Sequence, residues 1–186
     1  MTAAPDRTRL RTAVGALAAV GALAAAGALA LAAATPAVAE VSAPGTEDTP
    51  RVITAFSGKC LEVADWRTDD AAPVRQWSCT GGANQQWIWG ADGRLVNAHS
   101  GKCLEIPGFS TTWGTQADQW ECDGGANQQW KMVILPRTAT FYLQNVASQL
   151  FLDVSGGSTA DGAPVIQWQP TQSATNQYWR YDPPWR

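Results

Sequence analysis

Three sets of polar and aromatic residues recur along the sequence with nearly constant spacing. Each set has an acidic residue, a tryptophan 15 residues later, and an Asn-Gln pair whose Asn follows that tryptophan by 7, 7 and 8 residues. A carboxylate accepts hydroxyl protons, an Asn amide both donates and accepts, and an indole offers a flat apolar face. Together these groups suit a ring that carries neighbouring hydroxyls. The sets are Glu62, Trp77, Asn84 and Gln85; Glu105, Trp120, Asn127 and Gln128; and Asp153, Trp168, Asn176 and Gln177.

Catalytic and metal-binding chemistry finds little support in the sequence. The single histidine, His99, has no partner cluster, so neither a metal centre nor a Ser-His-Asp arrangement is indicated, and we expect no cofactor. Glycoside hydrolysis needs two carboxylates about 5 to 9.5 Å apart, whereas each set contains one recurring carboxylate. The further acids Asp65, Asp69 and Asp70 accompany the first set alone and are typical of a solvated loop. We therefore expect a binding protein rather than an enzyme.

Residues 1–39 have the composition of a secretory signal peptide. Arg7, Arg9 and Arg11 precede an unbroken Ala/Gly/Leu/Val stretch at 13–34, and an A-x-A cleavage site ends at Ala39. A membrane anchor is the alternative, because a stretch of this length can span the hydrocarbon core. Its low leucine content and the cleavage site favour removal instead. We expect a secreted protein whose mature chain has no membrane span.

The remaining chain begins with a short linker-like segment and has more acidic than basic side chains. Residues 40–50 hold two prolines and three acids with almost no bulky apolar side chain, which predicts a flexible linker. The formal charge of the whole sequence is −3 at pH 7, and it becomes more negative without the arginine-rich leader. Such a surface repels phosphate backbones, so we do not expect a nucleic-acid partner.

Three related units follow, at 51–92, 93–136 and 137–186. Their closing tryptophans recur after 43 and then 49 residues. A propeller needs at least about four blades and a solenoid needs polar caps, so three near-equivalent units favour a closed threefold barrel. Runs such as 52–56 and 141–143 have strand composition, and Gly-containing turns separate them. The prediction is an all-β domain of about twelve short strands.

These repeats resemble the ricin B-chain type β-trefoil lectins, which carry a Gln-x-Trp motif near the end of each of three repeats. Here the motif stands at 85–87, 128–130 and 177–179, and the resemblance covers about 51–185. It implies a β-trefoil that binds a glycan or polysaccharide. It also implies that in each repeat the carboxylate, the later tryptophan and the Asn-Gln pair line one shallow pocket.

The third repeat matches the family pattern best, with Asp153, Trp168, Asn176 and Gln177. The first two repeats have Glu62 and Glu105 where the family usually has Asp. Because Glu is one methylene longer, we expect those pockets to be weaker, altered in preference or inactive. Two further aromatic residues between carboxylate and tryptophan are candidates for extending a binding subsite: Trp66 and Trp113.

The closing tryptophans Trp87, Trp130 and Trp179 are expected to meet in the core on the pseudo-threefold axis, because large aromatics dominate core energetics. The Gln that opens each motif is also expected to satisfy backbone groups. The four cysteines stand at equivalent places in the first two repeats, 19 residues apart in each. Among three possible connectivities, this spacing favours Cys60–Cys79 and Cys103–Cys122.

Three other interpretations stay open at the level of sequence. In the first, the flank tryptophans Trp77, Trp120 and Trp168 only cover the side of the barrel, and each carboxylate caps a turn. The Glu residues of the first two repeats motivate the second, a secreted protein-binding trefoil such as a protease inhibitor or interaction protein, whose sugar pockets have decayed. An accessory subunit of a glycoside hydrolase is a third possibility. We expect a monomer in each case.

Overall fold

The computed structural model describes residues 49–171 and 174–182. The predicted signal peptide at 1–39 and most of the predicted linker lie outside the described residues. Twelve strands are present in the described part of the chain, four in each predicted repeat. The first repeat contains β1 (Arg51–Ala55), β2 (Cys60–Val63), β3 (Ala72–Trp77) and β4 (Gln86–Trp89). The second contains β5 (Leu95–Asn97), β6 (Cys103–Glu105), β7 (Asp118–Trp120) and β8 (Trp130–Ile134). The third contains β9 (Phe141–Asn145), β10 (Phe151–Val154), β11 (Val165–Trp168) and β12 (Trp179–Asp182).

Six strands close a barrel, two from each repeat. β1 pairs with β12 and β4, β12 with β9, β9 with β8, and β4 with β5, all antiparallel. A bridge between Arg94 and Gln129 joins the β5 and β8 sides and completes the ring. Gly93 permits this junction, because a Cβ there would lie 2.8 Å from the Trp130 carbonyl oxygen. The closed ring leaves no unpaired barrel edge.

The other six strands form three hairpins that cover one end of the barrel. They are β2–β3, β6–β7 and β10–β11. Neighbouring hairpins touch through β3 and β7, through an Arg75–Pro164 bridge and through a Gln116–Ile166 bridge. The β-trefoil and its twelve strands, predicted from the repeats, are therefore confirmed.

The strands form because apolar residues alternate with polar ones over short runs between turns. In β3 the sequence APVRQW alternates buried and half-buried side chains, and β9 shows the same period of two. Six single turns of 3-10 helix link strands, two per repeat. One follows the second strand of the repeat, at Ala64–Trp66, Pro107–Phe109 and Ser155–Gly157, and the other carries the Asn-Gln pair, at Ala83–Gln85, Ala126–Gln128 and Thr175–Gln177.

The predicted core tryptophans are confirmed. Trp87, Trp130 and Trp179 are almost completely buried in one hydrophobic cluster. Each indole N–H donates to a leucine carbonyl of its own repeat at 3.0 Å, so the polar edge of every buried ring is satisfied. The accepting leucines, Leu61, Leu104 and Leu152, are themselves fully buried.

Both predicted disulfides are also confirmed. Cys60 bonds Cys79, and Cys103 bonds Cys122. In the third repeat Phe151 stands at the position of the first cysteine, where it stacks on Tyr142 with ring centroids 4.9 Å apart. Aromatic packing thus occupies the place of a covalent link in that repeat.

We expect the double variant Cys60→Ala/Cys79→Ala to lose about 3 kcal/mol of unfolding free energy, because the bridge closes a loop of about 20 residues in the unfolded chain. Urea unfolding of parent and variant measures the difference. The pair Cys103→Ala/Cys122→Ala spans an equal loop and serves as the matched variant. A loss below about 1 kcal/mol in both would contradict the prediction.

Candidate functional site

The structure brings the recurring residues of each repeat together on the hairpin that covers the barrel. The carboxylate lies on the second strand of the repeat, and the flank tryptophan ends the third strand. The strand register places the carboxylate directly opposite the residue two positions before that tryptophan: Glu62 faces Arg75, Glu105 faces Asp118, and Asp153 faces Ile166. These facing residues differ in charge, so the three sites differ chemically.

A buried glutamine holds each carboxylate from beneath. The amide nitrogens of Gln85, Gln128 and Gln177 donate to Glu62, Glu105 and Asp153 at 2.7, 2.9 and 3.0 Å. The same nitrogens donate to backbone carbonyls, and their oxygens accept backbone N–H groups. The expectation that these glutamines satisfy backbone groups is confirmed.

The glutamines do not reach the surface, which corrects the expectation that they contact a ligand. Gln85, Gln128 and Gln177 are completely buried. Both N–H groups of each amide are already donated within the protein. Their role in the site is therefore to position the carboxylate.

The third repeat has an open pocket of about 320 Å³. Asp153, Trp168 and Asn176 all line it, together with Ser155, Gly156, Ile166, Thr171 and Ala174. The Asn176 amide donates to the Asp153 carboxylate at 2.8 Å and to the Val154 carbonyl at 3.2 Å. Trp168 is 37% exposed. The predicted acid, amide and indole therefore face one common space.

Asp153 lies at the bottom of this pocket, where it is only 2% exposed. Burial raises the pKa of its carboxyl to about 6, although the hydrogen bonds from Gln177 and Asn176 favour the charged form and oppose the rise. The carboxyl consequently changes charge state in the mildly acidic range.

Small residues keep the third pocket open. Four positions after the carboxylate, the first two repeats carry the exposed aromatic side chains of Trp66 and Phe109, whereas the third has Gly157. All three backbones are left-handed there, with φ of 57°, 54° and 62°. The Trp66 ring lies against Gly82, since a Cβ at Gly82 would be 2.7 Å from it. The third repeat instead has Ala174 at the position of Gly82, and Ala174 lines the open pocket.

In the first repeat an arginine occupies the equivalent site. Arg75 donates from Nε and Nη2 to Glu62 at 3.0 and 2.9 Å, and it also pairs with Asp65 at 2.9 Å. Its guanidinium lies 4.2 Å from the ring centroid of Trp77. The carboxylate and the aromatic face are therefore both engaged by the protein's own cation.

In the second repeat two carboxyl groups face each other. Glu105 and Asp118 are cross-strand neighbours, and they are only 5% and 9% exposed. Burial raises the pKa of Glu105 above its ordinary value. Burial, reinforced by the charge of Glu105, raises the pKa of Asp118 to about 7. Trp120 remains exposed beside them, so the second site presents an acidic pair rather than a single carboxylate.

Sequence reasoning missed Arg75, Asp118 and Gly157, which decide how the three sites differ. The signal was present in part, because the first two stand two residues before a flank tryptophan. Its meaning required the strand register that sets each of them opposite a recurring carboxylate.

The described residues, 49–171 and 174–182, contain neither a metal-binding cluster nor a membrane-spanning helix. No group of three or more His, Cys, Asp or Glu side chains in that part of the chain is arranged to hold a metal ion. In the same part no helix is long and apolar enough to cross a membrane.

A family model described as a ricin-type beta-trefoil lectin domain-like sequence matches residues 40–94, 85–168 and 143–184. The three matches overlap and together extend over most of the chain. The chain belongs to the ricin-type β-trefoil lectin family. Each of the three matched segments of this ricin-type domain contains at least one of the carboxylates described above.

Solved structures similar to this ricin-type domain include an engineered one and two natural ones. The designed threefold-symmetric protein ThreeFoil is 40% identical, with 72% of this chain and 98% of that chain covered and a TM-score of 0.69. An exo-β-1,3-galactanase from Clostridium thermocellum is 31% identical over 73% of this chain, with a TM-score of 0.69, and the chain spans 30% of that enzyme's length. The ricin B-like lectin of Macrolepiota procera, solved with lactose, is 23% identical over 76% of this chain and 100% of its own, with a TM-score of 0.65. This last identity supports the fold alone. No curated protein sequence matches the chain.

The acidic pair of the second repeat predicts a pH-dependent stability. The folded-state pKa of Asp118, about 7, exceeds its unfolded value, so the native state holds the proton more tightly and loses stability as pH rises through 7. We expect the melting temperature of the parent to fall more between pH 6 and pH 8 than that of Asp118→Asn. Thermal unfolding followed by circular dichroism measures both.

The exposed neighbour Glu121 supplies the control for that experiment. Glu121→Gln removes one acidic charge next to Trp120 without touching the buried pair. It should keep the parental dependence on pH. Equal slopes for the parent and Asp118→Asn would show that the carboxyl pair does not govern stability.

Proposed function

We propose that the protein is a secreted, non-enzymatic lectin that binds carbohydrate in the pocket of the third repeat. The observation that carries the proposal is the pocket that Asp153, Trp168 and Asn176 share in a chain of the ricin-type β-trefoil lectin family. A carboxylate, an amide and an indole in one open space supply the acceptors, donors and flat apolar face that a pyranose needs.

The hydrogen-bonding groups that the protein leaves unused in the pocket suit sugar hydroxyls. Asp153 uses one lone pair on each oxygen for Asn176 and Gln177, and a carboxylate has about four such acceptor sites. The two N–H groups of Asn176 are donated to Asp153 and Val154, so its carbonyl oxygen is the group left to accept from a ligand. The exposed Trp168 face covers the apolar side of the ring.

The proposal places the principal site in one repeat rather than in three equal ones. Arg75 neutralises Glu62 and covers Trp77 in the first repeat. The second repeat keeps an exposed Trp120 but presents Glu105 and Asp118 as a facing acidic pair. One shallow pocket binds a monosaccharide weakly, near the millimolar end of the affinity scale.

The arrangement of carboxyl groups supports binding rather than hydrolysis. The third pocket has one acid among its lining residues, Asp153, whereas glycoside hydrolysis uses two across the scissile bond. The second repeat does have two, but Glu105 and Asp118 are both more than nine-tenths buried. Burial raises the pKa of both carboxyl groups, so the pair is poorly suited to supply an ionised nucleophile or base.

Secretion is part of the same proposal. The Arg-rich start, the apolar stretch at 13–34 and the A-x-A site at Ala39 support export. Two disulfides are present, and such bonds persist in oxidising compartments outside the cytosol.

The Trp168→Ala variant should lose at least about tenfold in retention on an immobilised glycan, because the stacking face disappears. Trp168 is 37% exposed and lies outside the central hydrophobic cluster, so the fold should persist. A glycan array first identifies a bound sugar, and affinity chromatography on that sugar then compares the variants. Trp77→Ala removes the equivalent indole from the filled first site and should bind like the parent. Equal retention of Trp168→Ala and parent, or no response on the array, would favour a protein-binding trefoil instead.

Binding should also weaken as the solution becomes acidic. The pKa of Asp153 is raised to about 6, so its carboxylate is mostly ionised at pH 7 and mostly protonated at pH 5, and the protonated acid loses acceptor capacity. We expect affinity to fall about tenfold between pH 7 and pH 5 in titration calorimetry. Asp153→Asn cannot titrate and should bind weakly at both values. A flat profile for the parent would exclude Asp153 as the ligand acceptor.

A further inference from the structure

The position eight residues after each recurring carboxylate lies where one repeat meets the next. It is occupied by Asp70 in the first repeat, Trp113 in the second and Asp161 in the third. Asp161 accepts the backbone N–H of Ser78 at 2.7 Å and pairs with Lys59 at 2.8 Å. Two of the three junctions between repeats use this position in the same way.

The same Asp–Lys arrangement is present where the first repeat meets the second. Asp70 accepts the backbone N–H of Glu121 at 3.0 Å and pairs with Lys102 at 2.6 Å. The third junction has neither partner, because Trp113 replaces the aspartate and Leu150 stands at the place of the lysine. An indole can donate a hydrogen bond but cannot accept one there. The substitution therefore removes a stabilising contact that the other two junctions keep.

The loop that carries Trp113 nevertheless keeps the glutamine contacts that its counterparts make. The side-chain amide of buried Gln167 donates to the carbonyls of Ser110 and Thr112 at 2.8 and 2.9 Å. The backbone carbonyl of Gln167 accepts the Gly114 N–H at 2.8 Å. Gln76 and Gln119 make the corresponding amide contacts at the other two junctions. Trp113 thus projects from a loop whose backbone is clamped on both sides of it.

The clamp places Trp113 beside the indole of the third pocket. The ring centroids of Trp113 and Trp168 are 5.8 Å apart, with their planes inclined at 50°. Trp113 remains 53% exposed, so the contact with Trp168 does not bury it. Two exposed indoles from different repeats form one aromatic surface at the mouth of the pocket, and such surfaces mark sites of interaction.

We propose that Trp113 forms a second subsite, which binds the sugar ring next to the one held by Asp153 and Trp168. The ligand of the third site is then an oligosaccharide or polysaccharide rather than a free monosaccharide. This inference rests on the proposed function, since it extends the same site. Two planes inclined at 50° suit two rings joined by a rotatable linkage, whereas one flat ligand would need coplanar faces.

Titration calorimetry with galactose, lactose, xylose and xylohexaose tests the inference. The parent should bind an oligosaccharide at least about tenfold more tightly than the corresponding monosaccharide, a gain equal to one additional stacked ring. Trp113→Asp introduces the residue of the other two junctions, and it should reduce this ratio to about 1 with monosaccharide affinity unchanged. Trp113→Ala provides a second variant with the same expectation.

Trp66→Ala is the matched control, because Trp66 is equally exposed but lies over the first site. It should keep the parental ratio. An unchanged ratio in both Trp113 variants, with monosaccharide binding intact, overturns the second subsite and leaves the proposed function standing. Loss of monosaccharide binding in those variants also overturns it, because Trp113 would then belong to the primary pocket. If the parent binds none of these four sugars and also gives no response on the glycan array, the proposed function and this inference are overturned together.

Discussion

The hydrogen bond from each core indole to a leucine carbonyl links the barrel core to the surface site. Trp179 donates to the Leu152 carbonyl at 3.0 Å, and Leu152 directly precedes Asp153. Two residues before Trp179, Gln177 donates to the Asp153 side chain. The Gln-x-Trp motif therefore holds the carboxylate twice, once through its backbone and once through its side chain. Because the same ring fills the core, packing on the pseudo-threefold axis determines where the pocket acid lies.

This arrangement separates stability from recognition. The interior contacts are nearly identical in the three repeats, as the equal indole-to-carbonyl distances show. The residues that stand opposite the carboxylates on the same hairpins differ in charge and size, from Arg75 to Asp118 to Ile166. The same barrel consequently carries three different sites: one filled by an arginine of the protein, one with a pair of acidic residues, and one open pocket. Specificity can change at these positions with little cost to the core, because they contribute few of its contacts.

The repeats made most of the fold predictable. Constant spacing between carboxylate, flank tryptophan and closing tryptophan implied three equivalent units, and equivalent units of this size close into a barrel. The same equivalence paired Cys60 with Cys79 and put Trp87, Trp130 and Trp179 in the core. The role of Gln177 was not predictable to the same degree, since a polar residue next to a predicted site can either contact a ligand or support one that does. Only its complete burial distinguishes the two.

By itself, then, the sequence determined the trefoil, its strand content, its disulfides and the set of residues from which a site could be built, because each of these follows from local pattern and repetition. The tertiary structure decided which site is open. Strand pairing sets Arg75 opposite Glu62 and Asp118 opposite Glu105, and the packing of one repeat's loop against the next sets Trp113 beside Trp168. These contacts join residues that are 13 to 55 positions apart, so no local pattern records them, and the charge and shape of each pocket emerge only when the hairpins are folded together.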